Sequence, residues 1–213
     1  MQTHCRPLSP FDDFRPLTRD WLAERLRRQG ILPEDANFPR YSHPPERKPV
    51  PAAVLVPVVN QPAGPTLLFT QRTAHLHDHA GQISFPGGRV DEGDPDRIAT
   101  ALREAEEETG LSRRRVEIIG RLPDFDILTG FRVTPIVGWV EPPFDLTPDP
   151  FEVADVFEVP LEFFLDPVNH QRHSDVFNGR TRHFYSMAYG DRYIWGATAG
   201  MLYTLYQILT GRS

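Results

Sequence analysis

The segment that decides the reading is Gly87-Gly88-Arg89-Val90-Asp91-Glu92-Gly93-Asp94-Pro95, running on to Leu102-Arg103-Glu104-Ala105-Glu106-Glu107-Glu108-Thr109-Gly110-Leu111. Asp94-Pro95 has the chemistry of a helix start: an Asp cap, then a Pro whose missing N–H is no loss in the first turn. Gly110 has that of a stop, because glycine takes left-handed backbone without a steric cost. The spacing predicts a helix over about 96–109. At about 100° per residue, Ala101, Leu102, Ala105 and Thr109 fall within roughly 60° of Ile98, a narrow face of small residues for packing on a sheet. Glu104, Glu107 and Glu108 fall between roughly 180° and 280°, while Glu106 stands apart near 80°.

Carboxylates at i, i+3 and i, i+4 repel one another. Acid in the last turn also opposes the helix dipole. Two readings accommodate these costs. One is a solvated acidic face with Arg103 as its local partner. The other is a cation site, where a divalent ion removes both penalties. Oxygen-only ligands suit Mg²⁺ or Mn²⁺, with water and substrate phosphate completing the coordination.

Outside this segment the chain is electrically balanced. The 213 residues carry a net charge of −6, and residues 89–108, with eight acids against three arginines, account for −5 of it. No basic excess marks a nucleic-acid or anionic-membrane surface. The apolar run Ala52–Val59, interrupted by Pro57, falls far short of the roughly 20 residues that span a bilayer. The one cysteine, Cys5, excludes an intramolecular disulfide framework and a cysteine-rich zinc site, and points to a reducing cytoplasm.

Working outward, residues 1–50 read as an N-terminal extension and 51–213 as one domain. In the extension, Thr18 is placed to cap a helix of about 18–29 with Leu22 and Leu26 on one face and Gly30 as its stop. A Pro-rich arm follows, with Pro33, Pro39, Pro44, Pro45 and Pro49. Strands are predicted over Ala52–Val59, Thr66–Thr70, Val116–Leu122, Val133–Val140 and Val153–Val159. Asn178-Gly179 predicts a hairpin turn. Thr198–Leu209 predicts a helix with Met201, Leu202, Leu205, Ile208 and Leu209 apolar, a candidate dimer face. Strands on both sides of one central helix imply an α/β or α+β sandwich. His75, His77 and His79 would share a face on a strand and suit a transition metal, but Gly81 and the loop context point to irregular backbone.

The segment resembles the Nudix hydrolases. Their box runs Gly, five residues, Glu, seven residues, Arg-Glu, an apolar residue, any residue, Glu-Glu, any residue, Gly and an apolar residue. Its second half stands complete here as Arg103 to Leu111. In its first half Asp94 occupies the place of the box Glu, and the chain is one residue longer between Gly88 and Arg103. This stretched box after Phe85-Pro86-Gly87-Gly88 is similar to the coenzyme A pyrophosphatase subgroup. So is the upstream segment Leu68-Phe69-Thr70-Gln71-Arg72-Thr73-Ala74, then His77 and Gly81, with His77 where that subgroup has a second Arg. Leu128-Thr129-Gly130-Phe131, Phe151-Glu152-Val153 and Ile194-Trp195-Gly196 extend the likeness, which covers about residues 50–210.

The resemblance implies a Nudix-type α/β/α sandwich with a mixed sheet and a catalytic loop–helix motif. It implies metal on Glu104, Glu107 and Glu108, with Arg103 orienting a carboxylate of that trio. A later carboxylate acts as base: Glu152 by the matching segment, with Glu158 the alternative. Arg72, His77, Gly87, Gly88 and Arg89 are the implied substrate contacts. The implied reaction is metal-dependent cleavage of coenzyme A or acyl-coenzyme A at its pyrophosphate, by a cytoplasmic enzyme and possible homodimer. ADP-ribose, NADH or a dinucleotide are the alternative substrates, and a non-catalytic nucleotide-binding module is the alternative in a different class.

Overall fold

Val50–Val59 forms the strand around which the rest is arranged, β1. Its side chains alternate between two apolar faces: Ala53, Leu55 and Val59 on one, Ala52, Val56 and Val58 on the other. Both sets are buried, so β1 is covered on both sides. The computed structural model describes residues 17–28, 48–74, 81–177 and 180–211.

The other elements, in chain order, are α1 (Arg19–Arg27), β2 (Thr66–Arg72), β3 (Ile83–Ser84), β4 (Gly87–Arg89), α2 (Arg97–Thr109), β5 (Val116–Arg121), β6 (Phe125–Asp126), β7 (Phe131–Val140), β8 (Val153–Pro160), α3 (Leu161–Leu165), β9 (Gln171–Phe177), β10 (Arg180–Tyr189), β11 (Arg192–Trp195) and α4 (Gly196–Thr210). The main sheet runs β3-β2-β1-β7-β5, with β4 also on β1, β6 on β7 and β8 on β2. β1 and β7 are parallel from Val50 opposite Phe131 to Val59 opposite Val140. The remaining pairings in this sheet are antiparallel, so it is mixed and the fold is α+β.

On one face of the sheet, Ala101 and Ala105 of α2 and the following Leu111 pack on Ala53, Leu55, Leu68, Ile136 and Val140. On the other lie α1, α3 and α4, with a second, three-stranded sheet ordered β11-β10-β9. Phe177 pairs opposite Arg180 across a two-residue connection, although the predicted turn Asn178-Gly179 lies outside the described residues. The apolar residues of α4 are buried within this one chain, which removes the sequence argument for a dimer face. No helix among the described residues is long and apolar enough to cross a membrane.

α1 begins as its sequence predicts, with Thr18 Oγ1 accepting from the Trp21 N–H. It ends at Arg27 with Arg28 as its cap, and Gly30 and the Pro-rich arm through residue 47 lie outside the described residues. Leu22, Ala23 and Leu26 are buried where α1 packs on β5 and α4. The contact is close: a Cβ on Gly120 of β5 would collide with Leu26.

Two expectations about α2 need correction. Its cap is Asp96, whose Oδ1 accepts from the Ala99 N–H at 2.8 Å, and not Asp94, whose side chain has another partner. Its buried face is also rotated toward the carboxylates. Thr100, Ala101, Ala105, Glu108 and Thr109 are buried, whereas Ile98 is 38% exposed. Packing favours the small side chains that let the helix approach β1 and β4, and the larger Ile98 is left at the rim. Gly110 closes the helix at φ +75°, its N–H donating to the Glu106 carbonyl.

Candidate active site

β4 lies antiparallel on β1, with Gly87 opposite Val54 and Gly88 opposite Ala53. Neither glycine has room for a side chain. A Cβ on Gly87 would collide with the Ala53 carbonyl and Val54, and one on Gly88 would fall on the Glu104 carboxylate. Backbone must approach this closely because α2 lays its acids against β4, which only glycine permits. The Gly87 N–H donates to Glu108 Oε2 at 3.3 Å.

Arg103 organises the acids around it. Its Nε and Nη2 fork onto Asp94 Oδ1 and Oδ2 at 3.0 and 2.9 Å. Its Nη1 donates to Glu104 Oε1 at 2.9 Å and Glu107 Oε2 at 3.0 Å. Nη2 also reaches the Arg89 carbonyl at 3.2 Å, tying α2 to β4. A planar guanidinium satisfies these directions simultaneously, which an ammonium cannot. Asp94 further accepts from the Asp91 N–H and the Thr100 hydroxyl. The Arg103 fork holds its carboxyl well below the usual carboxylate range. The sequence alone offers Asp94 as a helix cap and gives it no part in the site. The available signal is its position in the box, where Asp is one methylene shorter than Glu on a chain one residue longer.

The carboxylates differ in their electrostatics. Glu108 is buried and its pKa is pushed up to about 8, first by desolvation and then by Glu104, against the opposing Gly87 N–H and Arg72. Glu104 is also shifted upward by burial, with Arg103 opposing. Glu152 adds repulsion to both. Glu106, outside the trio as the helical wheel predicts, pairs with Arg113 at 2.6 Å and is shifted down by it.

The turn before β8 closes the other side. Thr147 and Asp149 donate their N–H groups to the Thr109 and Glu108 carbonyls at 2.8 and 3.0 Å, satisfying the end of α2. The segment then brings Glu152 within 3.9 Å of Arg72 Nη1 at the end of β2. Glu158 lies elsewhere: it faces Leu68 on β2 and accepts from Gln61 and Thr66. Arg89 lies over the Phe131 ring at 5.1 Å. His75, His77 and His79 lie outside the described residues.

Arg103 holds Glu104 and Glu107, and the Gly87 N–H engages Glu108. Among the described residues no three acidic, His or Cys side chains already converge on one point as metal ligands. The donor set nevertheless fits a hard divalent cation. It is all oxygen, it includes a mutually repelling pair in the half-buried Glu104 and the buried Glu108, and the missing Cβ of Gly88 leaves space at Glu104.

A Nudix domain is matched over residues 49–178. The chain is 40% identical over 191 residues to NudL of Escherichia coli K12, an uncharacterized Nudix hydrolase, covering 89% of this chain and 94% of that one. Among solved structures, DR0079 of Deinococcus radiodurans is similar over 78% of this chain and 89% of its own, with 15% identity and a TM-score of 0.49. The Ap4A hydrolase of C. elegans is similar over 52% of this chain and 80% of its own, with 23% identity and a TM-score of 0.45. The matched domain, the relative along nearly its whole length and the complete second half of the box agree: this chain belongs to the Nudix hydrolases, enzymes of nucleoside diphosphate derivatives.

Proposed function

We propose that this enzyme hydrolyses the pyrophosphate bond of coenzyme A or acyl-coenzyme A. The products are adenosine 3′,5′-bisphosphate and 4′-phosphopantetheine or its acyl form. The observation that carries the reading is the convergence of two sequence segments. Arg72, from the segment that resembles the coenzyme A subgroup, stands beside Glu152 and acts on Glu108, from the Nudix box. The reading places the enzyme in the cytoplasm, supported by the single cysteine.

Glu104, Glu107 and Glu108 would hold Mg²⁺ or Mn²⁺. The cation supplies charge neutralisation of the pyrophosphate and a more acidic water. The chain's own residues do the rest. Arg72 and Arg89 give positive charge to the phosphates. Glu152, its side chain 45% exposed and next to Arg72, takes the proton from the attacking water as its oxygen bonds to phosphorus and the bridging P–O bond breaks. Arg103, saturated by Asp94, Glu104 and Glu107, keeps the carboxylates in place and does not touch substrate. Gly87 and Gly88 let β4 lie close on β1 and against the Glu104 carboxylate, which sets the backbone that would meet a phosphate.

A second reading, cleavage of another nucleoside diphosphate derivative such as ADP-ribose, NADH or a dinucleotide, is favoured by His77, which cannot form a guanidinium fork. Turnover of coenzyme A, dephospho-coenzyme A, ADP-ribose and NADH, with products identified by mass spectrometry, separates them. A clear preference for coenzyme A is expected; equal or better turnover of the others would replace it with the second reading.

A further inference from the structure

We propose that Thr73 is a positioning residue for the reaction: its hydroxyl and N–H fix the turn that presents Glu152 to the carboxylate site. The proposal rests on the reading of Glu152 as the base. β2 and β8 pair regularly from Thr66 opposite Pro160 to Gln71 opposite Asp155. The register then slips, so that Arg72 faces Val153 and Ala154 is the extra residue. A bulge of this kind bends its strand and re-aims the neighbouring side chains. With unbroken register Thr73 would meet Val153. With the extra residue it meets Glu152, and its N–H donates to the Glu152 carbonyl at 3.0 Å.

Its hydroxyl makes the second link, donating to the Phe151 carbonyl at 2.9 Å. Thr73 is 7% exposed, so this hydroxyl needs its partner. Phe151 is 64% exposed, so the turn gains little from burial there and its position depends on backbone hydrogen bonds. Those bonds come from two directions. Asp149 is tied to the Glu108 carbonyl, and Glu152 and Val153 donate back to Asp149. Thr73 ties residues 151 and 152 to the strand that carries Arg72. Two adjacent residues at the end of β2 therefore divide the work on one turn: Thr73 sets the backbone of Glu152, and Arg72 faces its carboxylate at 3.9 Å.

The test compares Thr73→Val, Thr73→Ser and Glu152→Gln, and Thr73→Val combined with Glu152→Gln. It measures Mg²⁺-dependent hydrolysis of coenzyme A and of ADP-ribose, and amide hydrogen exchange over residues 147–153 in metal-free protein. Thr73→Val is expected to lower kcat about tenfold with KM within about twofold, since displacing a reacting group by a fraction of an ångström acts on the chemical step. Exchange over 147–153 should quicken, and Thr73→Ser should restore both. In the Glu152→Gln background, Thr73→Val should cost nothing further. If valine prevents folding, Thr73→Ala carries the same comparison. Unchanged kcat and exchange in Thr73→Val would overturn the proposal, as would a loss that multiplies with that of Glu152→Gln. Full activity in Glu152→Gln would instead remove the base assignment itself, whatever Thr73 does.

Discussion

At one end of the β2–β8 pair Glu158 accepts hydrogen bonds from Gln61 and Thr66; just beyond the other end, Glu152 faces Arg72 and repels Glu104 and Glu108. The residue type is the same and the strand pair is shared. The difference is in the surroundings of each carboxylate. Neutral donors occupy the oxygens of Glu158, leaving little lone-pair capacity for chemistry. Glu152 sits among like charges with one guanidinium nearby, where a cation is welcome. A carboxylate is useful to catalysis where its neighbours leave its charge partly unanswered.

The sharpest break in that contrast comes from the trio. Glu108→Gln should lower metal-dependent hydrolysis by about a thousandfold or more while leaving the fold intact, because it removes an anionic ligand of the cation that would neutralise the pyrophosphate. Steady-state rates with Mg²⁺ and circular dichroism measure both sides; turnover equal to the parent would remove Glu108 from the site. The same residue predicts a pH dependence. Its folded pKa of about 8 stands above the ordinary glutamate value, so the folded state favours the protonated form. The resulting stability is full below about pH 4.5 and is lost as pH rises through about 8, on the order of 2–4 kcal/mol in metal-free protein. Denaturant unfolding in chelator at several pH values should show that decline, and Glu108→Gln should flatten it. A parallel decline in the mutant would assign it to other groups.

Glu152→Gln should lower kcat about a hundredfold, in the range of a lost general base. Steady-state rates with Mg²⁺ measure it, and an unchanged kcat would count against the role. The smallest effect belongs to the opposite end. Glu158→Ala should change kcat less than about twofold but cost about 1–2 kcal/mol of stability in thermal or urea unfolding, from the donors left behind on Gln61 and Thr66. A large kcat loss there would erase the distinction between the two ends.

Much of the carboxylate helix was legible in the sequence because its signals are local. Gly110 stops it, Glu106 points away from the trio, and the apolar run Ala52–Val59 marks the strand that is β1. The rotation of α2 was not legible. Hydrophobicity puts Ile98 inward beside Ala101, Ala105 and Thr109; close approach to the sheet keeps those three buried, adds Thr100 and Glu108, and leaves Ile98 at the rim. Asp94 reads locally as a cap, and only the fold brings it to Arg103, nine residues on. The bulge at Ala154 has no marker in Val153-Ala154-Asp155; it exists because β2 and the end of α2 both constrain the same turn.

The docking of α1 bears on where this protein can be cut. The matched Nudix domain starts at residue 49, yet Leu22 and Leu26 are 1% and 4% exposed, and Leu26 is seated over Gly120, which has space for nothing larger. A chain begun at residue 49 would uncover to water the parts of β5 and α4 on which α1 packs. An uncovered apolar surface of that kind attracts copies of itself, so such a truncation should gain aggregation before it loses its active-site geometry. The boundary drawn by similarity and the boundary drawn by solubility differ here by one short helix.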